Sequence, residues 1–284
     1  QTRSQAICER PWLFLLSLSQ GKISMLTTIQ ARRESRVFGF TDLITEPNAN
    51  PKFSKSIDSQ FYNCGITLAP ARSSGHNVCT MSTAKCRSGC LGNFGRSEFL
   101  PSILKSRINR TKLLFENRDL FWKILESHCH RIDRKAIREG KTVAFRSDVL
   151  SDLNWHKMFP QLFRDFNHWK FYGYTKIRSK IESMLNGSNP VHQTFSFNER
   201  TNFSDVKAFI KSGVNVAIPF YDSKTLKSGI PKSYKGIKVI DGDLTDLRFT
   251  DPKGVIVGLK VKLPKSRSNQ IATIKRSKGF FVGY

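Results

Sequence analysis

Thr142-Val143-Ala144-Phe145-Arg146, Trp169-Lys170-Phe171-Tyr172-Gly173-Tyr174, Gln193-Thr194-Phe195-Ser196-Phe197 and Val214-Asn215-Val216-Ala217-Ile218-Pro219-Phe220 are short runs rich in β-branched and aromatic residues. Such runs favour a pleated, buried backbone. Between them lie stretches with helical spacing, Trp155–Phe166, Lys176–Leu185 and Asn202–Ser212. The runs recur about one strand plus one helix apart, and two more follow at Ile237–Ile240 and Gly254–Leu263. Alternating strands and helices call for parallel strands joined by right-handed crossovers. The expected fold is α/β: a partial or distorted β/α barrel with parallel strands, with an open doubly wound sheet as the second choice.

Upstream of these runs the period is helical. Over Pro101–Phe115, Leu104, Ile108 and Phe115 share a face with Leu100, and Lys105, Arg107, Arg110 and Lys112 fill the rest. Over Asp119–Glu139 the apolar stripe is Phe121, Ile124, Leu125, His128 and Ile132, which makes His128 a core histidine. His128 and His130 flank Cys129, but neighbours on a helix point to different faces and do not chelate together. Residues 61–97, punctuated by Gly65, Gly75, Gly89, Gly92 and Gly95, look like loop. Residues 1–60 look poorly ordered or accessory, residues 61–264 form the α/β core with its cysteine loop, and residues 265–284 form a basic tail.

The chain of 284 residues is long enough to bury a substantial core. Its net charge is +25, from 47 Lys+Arg against 22 Asp+Glu, spread along the chain. A protein this cationic attracts polyanions, and nucleic acid is the expected partner. The apolar stretch Trp12–Leu18 is too short to span a bilayer, and no small-residue cleavage site follows it cleanly. A cytoplasmic protein with no membrane association is expected; its oligomeric state is not encoded legibly.

Six cysteines occur, and Cys79, Cys86 and Cys90 fall within twelve residues. In a chain without a convincing export signal this crowding points to a metal or catalytic site, not a disulfide frame. Thiolates are soft ligands that suit iron or zinc. Three of them can hold three corners of an iron–sulfur cluster, leaving one iron open, or three positions around zinc. Cys64 and His76 are the nearest candidates for a fourth ligand. Three buried free thiols packed as small hydrophobes would be the alternative.

In parallel β/α architectures chemistry gathers at the C-terminal strand ends. The runs deliver Arg146-Ser147-Asp148, Tyr174-Thr175-Lys176 and Ser196-Phe197-Asn198-Glu199 to that edge, followed by Asp241-Gly242-Asp243, Asp246, Arg248 and Lys260. Asp148, Lys176 and Glu199 are the candidate catalytic groups. Arg146, Thr175, Asn198, Asp241 and Arg248 are the candidate ligand-binding groups. Asp148 can equally cap the next helix. The Asp241-Gly242-Asp243 core lacks the full ligand series of a calcium loop. Basic and aromatic residues interleave at Asn167–Tyr172 and Ser277–Phe281, where bases could stack; in the first segment core packing is the better explanation.

Leu68-Ala69-Pro70-Ala71-Arg72, Asn77-Val78-Cys79, Cys86, Cys90-Leu91, Gly95-Arg96, Arg107 and Asn109-Arg110-Thr111 follow one another in an order that resembles a family of uncharacterised bacteriophage proteins related to the phage gene-product-eighty-eight group. Phe171-Tyr172-Gly173-Tyr174-Thr175-Lys176, Thr194-Phe195-Ser196, Asn215-Val216-Ala217 and Val239–Asp243 extend the likeness, which covers about residues 64 to 264. It implies a phage or prophage origin and a host cytoplasmic setting. More distantly, a cysteine loop before a β/α array is similar to radical SAM enzymes, whose C-x3-C-x2-C loop carries a 4Fe-4S cluster with S-adenosylmethionine on the open iron. Here the spacing is C-x6-C-x3-C, and Gly89 stands where those enzymes usually carry an aromatic residue. Two expectations follow: an iron–sulfur, radical-SAM-like enzyme acting on nucleic acid or a nucleotide, or a non-catalytic nucleic-acid-binding protein with structural zinc.

Overall fold

The computed structural model describes residues 25–93, 100–264 and 266–284. Trp12–Leu18, Cys8, Gly95 and Arg96 lie outside the described residues.

Eleven strands form one mixed sheet with β1 (Ile44–Thr45) at one edge and β8 (Ser233–Tyr234) at the other. The body of the sheet is parallel and follows chain order from β2 (Phe61–Ile66) through β3 (Thr142–Arg146), β4 (Lys170–Thr175) and β5 (His192–Ser196) to β6 (Val216–Asp222). β10 (Ile256–Lys260) and then β9 (Ile237–Asp241) continue it in parallel. At the two edges β1 pairs antiparallel with β2, and β8 with β9. Short strands β7 (Lys227–Ser228) and β11 (Val282–Gly283) join β6. The sheet does not close, because β1 and β8 do not pair. Across the gap, Lys55 Nζ donates to the carbonyl of Asp243 and Lys52 Nζ lies 3.8 Å from the Asp243 carboxylate.

Each helix has a local cause. The long crossover helix, Arg118–Arg138, opens on Asn117, whose side chain accepts from the Leu120 N–H at 3.1 Å. Asp119 sits in its first turn and Lys135 and Arg138 in its last, which suits the helix dipole. Its expected stripe is buried, and His128 is fully buried with Nδ1 accepting from the Leu43 N–H at 3.2 Å. The helix expected over Trp155–Phe166 is instead two, Trp155–Met158 and Pro160–Asp165. Pro160 lacks an N–H and forces Phe159 out of the helical region (φ −139, ψ 66).

Residues 61–66, expected to be loop, are β2, the first parallel strand. The strand packs on both faces, so its Asn63, Cys64 and Gly65 carry no alternation to reveal it. A Cβ on Gly65 would lie 2.2 Å from the Arg146 carbonyl, so only glycine allows β2 and β3 to approach this closely. Upstream, the helix Thr28–Val37 and β1 place Ala31, Phe40, Leu43 and Ile44 in the main core. In the basic tail a helix, Arg267–Arg276, leads into β11.

One face of the sheet packs on the helices. Val143, Phe145 and Phe171 join Ile124, Leu125 and Phe163 there, and further along Phe195, Val216 and Ile218 join Ile181 and Val206. The loop after β9 covers part of the other face and inserts Leu247 and Phe249 against Ala144 and Tyr172.

Candidate functional site

A cavity of about 190 Å³ opens at the C-terminal edge of β3, β4, β5, β6 and β10. Parallel pairing delivers its polar groups to one place: Arg146 from β3, Thr175 and Lys176 from β4, Ser196 from β5 and Lys260 from β10. Cys79, Cys86 and Cys90 line the same cavity.

The cysteine segment leaves β2 and returns across the sheet edge. Cys79 donates its thiol to the Leu150 carbonyl at 3.4 Å, in the loop after β3. Cys86 rides on a short helix, Ala84–Ser88, capped by Thr83, whose hydroxyl accepts from the Cys86 N–H at 3.0 Å. The Cys90 sulfur accepts from the Gly92 N–H at 3.4 Å. Phe281 presses against the end of this helix so closely that a Cβ on Gly89 would come within 2.7 Å of its ring. Burial pushes the Cys79 thiol up to about 12, and the neighbouring Cys90 and Asp152 add to this against the Lys176 cation. Burial also raises Cys90, with Cys86 adding; the Gly92 N–H, Lys176 and Arg107 oppose it. Among the described residues no group of three His, Cys, Asp or Glu side chains is assembled to hold a metal ion. The cysteines are free thiols that share a cavity wall. Their donor chemistry suits a soft metal, which would replace the thiol protons.

The two fourth-ligand candidates sit elsewhere. Cys64 is fully buried in the helix-side core. His76 stacks on Phe115 at 4.6 Å and lies 3.5 Å from Glu116.

The remaining candidates separate into two groups. Lys176 reaches into the cavity, its Nζ donating to Ser196 Oγ at 2.8 Å and lying 5.6 Å from the Phe280 ring centre. Arg146 lines the cavity and stacks over the Tyr174 ring at 4.5 Å. Thr175 donates to Asp152 at 2.8 Å. Asp148 borders the cavity, but Ser151, Leu153 and Trp155 all donate to one of its oxygens, and Lys180 stands 3.3 Å from the other. Its carboxylate organises the loop after β3. The other four candidates do not line the cavity. Glu199 accepts from Thr83 at 2.9 Å and so steadies the helix that carries Cys86. Asn198 closes its own turn by accepting from the Arg200 N–H at 2.8 Å. Asp241 lies 3.5 Å from Lys260, and Arg248 is fully buried beside Asp251.

The sequence reading did not single out Asp152, Lys180 or Lys52. Asp152 accepts from Thr175, from the Lys176 N–H and from Lys180. Lys180 is 3% exposed, and a buried lysine four residues after Lys176 on a short helix gave no signal of its own. Lys52 lines the cavity from the segment before β2; burial lowers its ammonium pKa, and Arg146 and Lys262 add to this against Asp246 and Asp243.

Among the described residues no helix is long and apolar enough to cross a membrane. No curated protein and no solved structure matches the chain. One family model does match, over residues 39–277, which takes in the cysteine segment, strands β1 to β10 and all of the cavity lining except Phe280 and Phe281. The chain belongs to the Gene product 88 family, a phage gene-product family.

Proposed function

We propose that this protein is a phage iron–sulfur enzyme, similar to radical SAM enzymes, that acts on nucleic acid or a nucleotide in the host cytoplasm. The observation that carries this reading is the meeting of Cys79, Cys86 and Cys90 with Arg146 and Lys176 in one cavity at the C-terminal strand edge. The chain-ordered parallel strands β2 to β6 and β10 support a partial β/α barrel, with the cysteine segment following its first strand.

In this reading Cys79, Cys86 and Cys90 hold the cluster. When bound with S-adenosylmethionine, the cluster supplies the electron that starts radical chemistry. Lys176 would offset the negative charge of the thiolates and hold a substrate phosphate or carboxylate, and Arg146, held by Asp246, would line the pocket beside it. Phe280, Phe281 and Tyr174 keep water from the cavity.

Anaerobic purification and reconstitution test the proposal. The expected protein is brown and contains iron and sulfide, and loses both in Cys79→Ala, Cys86→Ala and Cys90→Ala. A colourless protein without iron after reconstitution sinks it. The second reading, structural zinc in a non-catalytic nucleic-acid-binding protein, is favoured by the burial of Cys79 and Cys90. It predicts stoichiometric zinc with no visible absorption.

A further inference from the structure

A second, larger depression of about 810 Å³ shares Lys52, Leu91, Arg146, Val149 and Leu150 with the cysteine cavity, so the two adjoin. One wall is the helix Pro101–Glu116, which contributes Ser102, Ser106, Arg107 and Arg110. The opposite wall carries Asp42 and Glu46.

The two acids are already neutralised from behind. Arg131 pairs with both, and Lys135 lies 2.7 Å from Glu46. The groove is therefore lined by the cations Arg107 and Arg110, with Lys52, which also lies 3.8 Å from the Asp243 carboxylate. Arg110 lies over the Phe40 ring at 5.7 Å, and its buried Nε has no hydrogen-bond partner. Burial lowers its pKa to about 10, so the guanidinium stays charged at neutral pH. Burial likewise lowers Arg107, against the pull of Cys90, and Arg107 lines the groove.

Size decides what such a pair of spaces can take. The cavity falls short of the roughly 300 Å³ at which small-molecule sites begin, whereas the groove lies well inside that range. A ligand that fills both is extended, with one compact end in the cavity and a longer anionic part in the groove. From this shared wall and the cations along it we infer that the groove is a track for the phosphodiester backbone of single-stranded nucleic acid, with one nucleotide turned into the adjoining cysteine cavity. A single strand fits because a base that enters a recessed cavity must leave its stack, and an unpaired strand has no pairing to break. The inference rests on the nucleic-acid part of the function proposed above and replaces "nucleic acid or a nucleotide" with a polynucleotide.

Fluorescence polarisation of a labelled single-stranded oligonucleotide, as DNA and as RNA, with the full chain tests this. Lys52→Gln removes a groove cation. Ser102→Glu adds a negative charge in the first turn of its helix, where an acid suits the dipole and folding is preserved. Each substitution is expected to weaken binding several-fold, and Lys52→Gln to flatten the slope of log affinity on log salt by about 0.7. Lys224→Gln, in an exposed turn, serves as the charge control and is expected to bind like the native protein. Unchanged binding by both groove variants, folded by circular dichroism, overturns the inference. So does equal competition by adenosine monophosphate, or tighter binding of a blunt duplex. Iron content is read in parallel: a protein that binds the strand through the groove without iron keeps this inference and sinks the enzyme. An iron protein that ignores the strand does the reverse.

Discussion

Arg146 at the end of β3 and Asp246 in the loop after β9 face each other across 100 residues of chain, with Arg146 Nη1 donating to both carboxylate oxygens at 3.0 and 3.1 Å. Both side chains are buried, and Tyr172 adds its hydroxyl to Asp246 at 3.0 Å. Burial alone would raise the Asp246 carboxyl; Arg146 in the first place, then Lys52 and Arg248, more than offsets it and holds the group below the usual range. Removing the cation alone, as Arg146→Met, leaves a buried charge uncompensated and is expected to cost about 3–5 kcal/mol in urea unfolding. Because the folded pKa is depressed, the stabilisation is complete above the ordinary Asp value of about 4 and is lost as pH falls below it. Asp246→Asn should remove that acid-side loss of stability.

Asp251 behaves with the opposite sign. Its Oδ2 lies 3.3 Å from Arg248 Nη1 yet makes no hydrogen bond, so burial prevails and the carboxyl rises to about 6. A carboxyl that holds its proton more tightly when folded adds stability as pH falls from the folded value toward the unfolded one of about 4. Urea midpoints measured across that interval should show this component in the native protein and its absence in Asp251→Asn. An identical pH profile in the two proteins would refute the assignment.

Lys180 holds Asp148 and Asp152 together, with contacts of 3.3 and 2.9 Å. Burial opposes its charge, but the two carboxylates, Asp148 first, keep its pKa above the usual lysine value. Lys180→Met is expected to destabilise by about 3–5 kcal/mol, since it leaves two buried acids side by side. Thermal melts should show part of that loss recovered when Asp148→Asn and Asp152→Asn are added, a non-additive result characteristic of one network.

Cys64→Ala and His76→Ala are expected to leave bound metal unchanged, because both side chains lie away from the cavity. Metal analysis of these two proteins beside the Cys79, Cys86 and Cys90 variants checks this. A drop in iron or zinc for either would bring that residue back as a ligand.

The parallel sheet was legible because strand-forming runs and helical spacing alternate from Thr142 onward, and parallel pairing then carries Arg146, Thr175 and Lys176 to one edge without further information. β2 was not legible, because a strand buried on both faces and containing asparagine and glycine has neither period nor composition to mark it. The fates of Glu199, Asn198, Asp241 and Arg248 depend on which way a loop turns after its strand, and that is set by tertiary partners such as Thr83 and Asp251. Lys180 and Lys52 were hidden for the same reason: their partners lie 27 or more residues away along the chain.

The unpaired margin between the first and last strands has a mechanical consequence. A continuous hydrogen-bonded ladder would fix the bore of the molecule, but here the closure is entrusted to two lysines and the residue they share, Asp243. One partly buried ion pair and one exposed lysine–carbonyl contact yield to counterions and water more readily than a backbone ladder does. The mouth that Lys52 borders therefore belongs to the part of the protein whose width answers to its ionic surroundings.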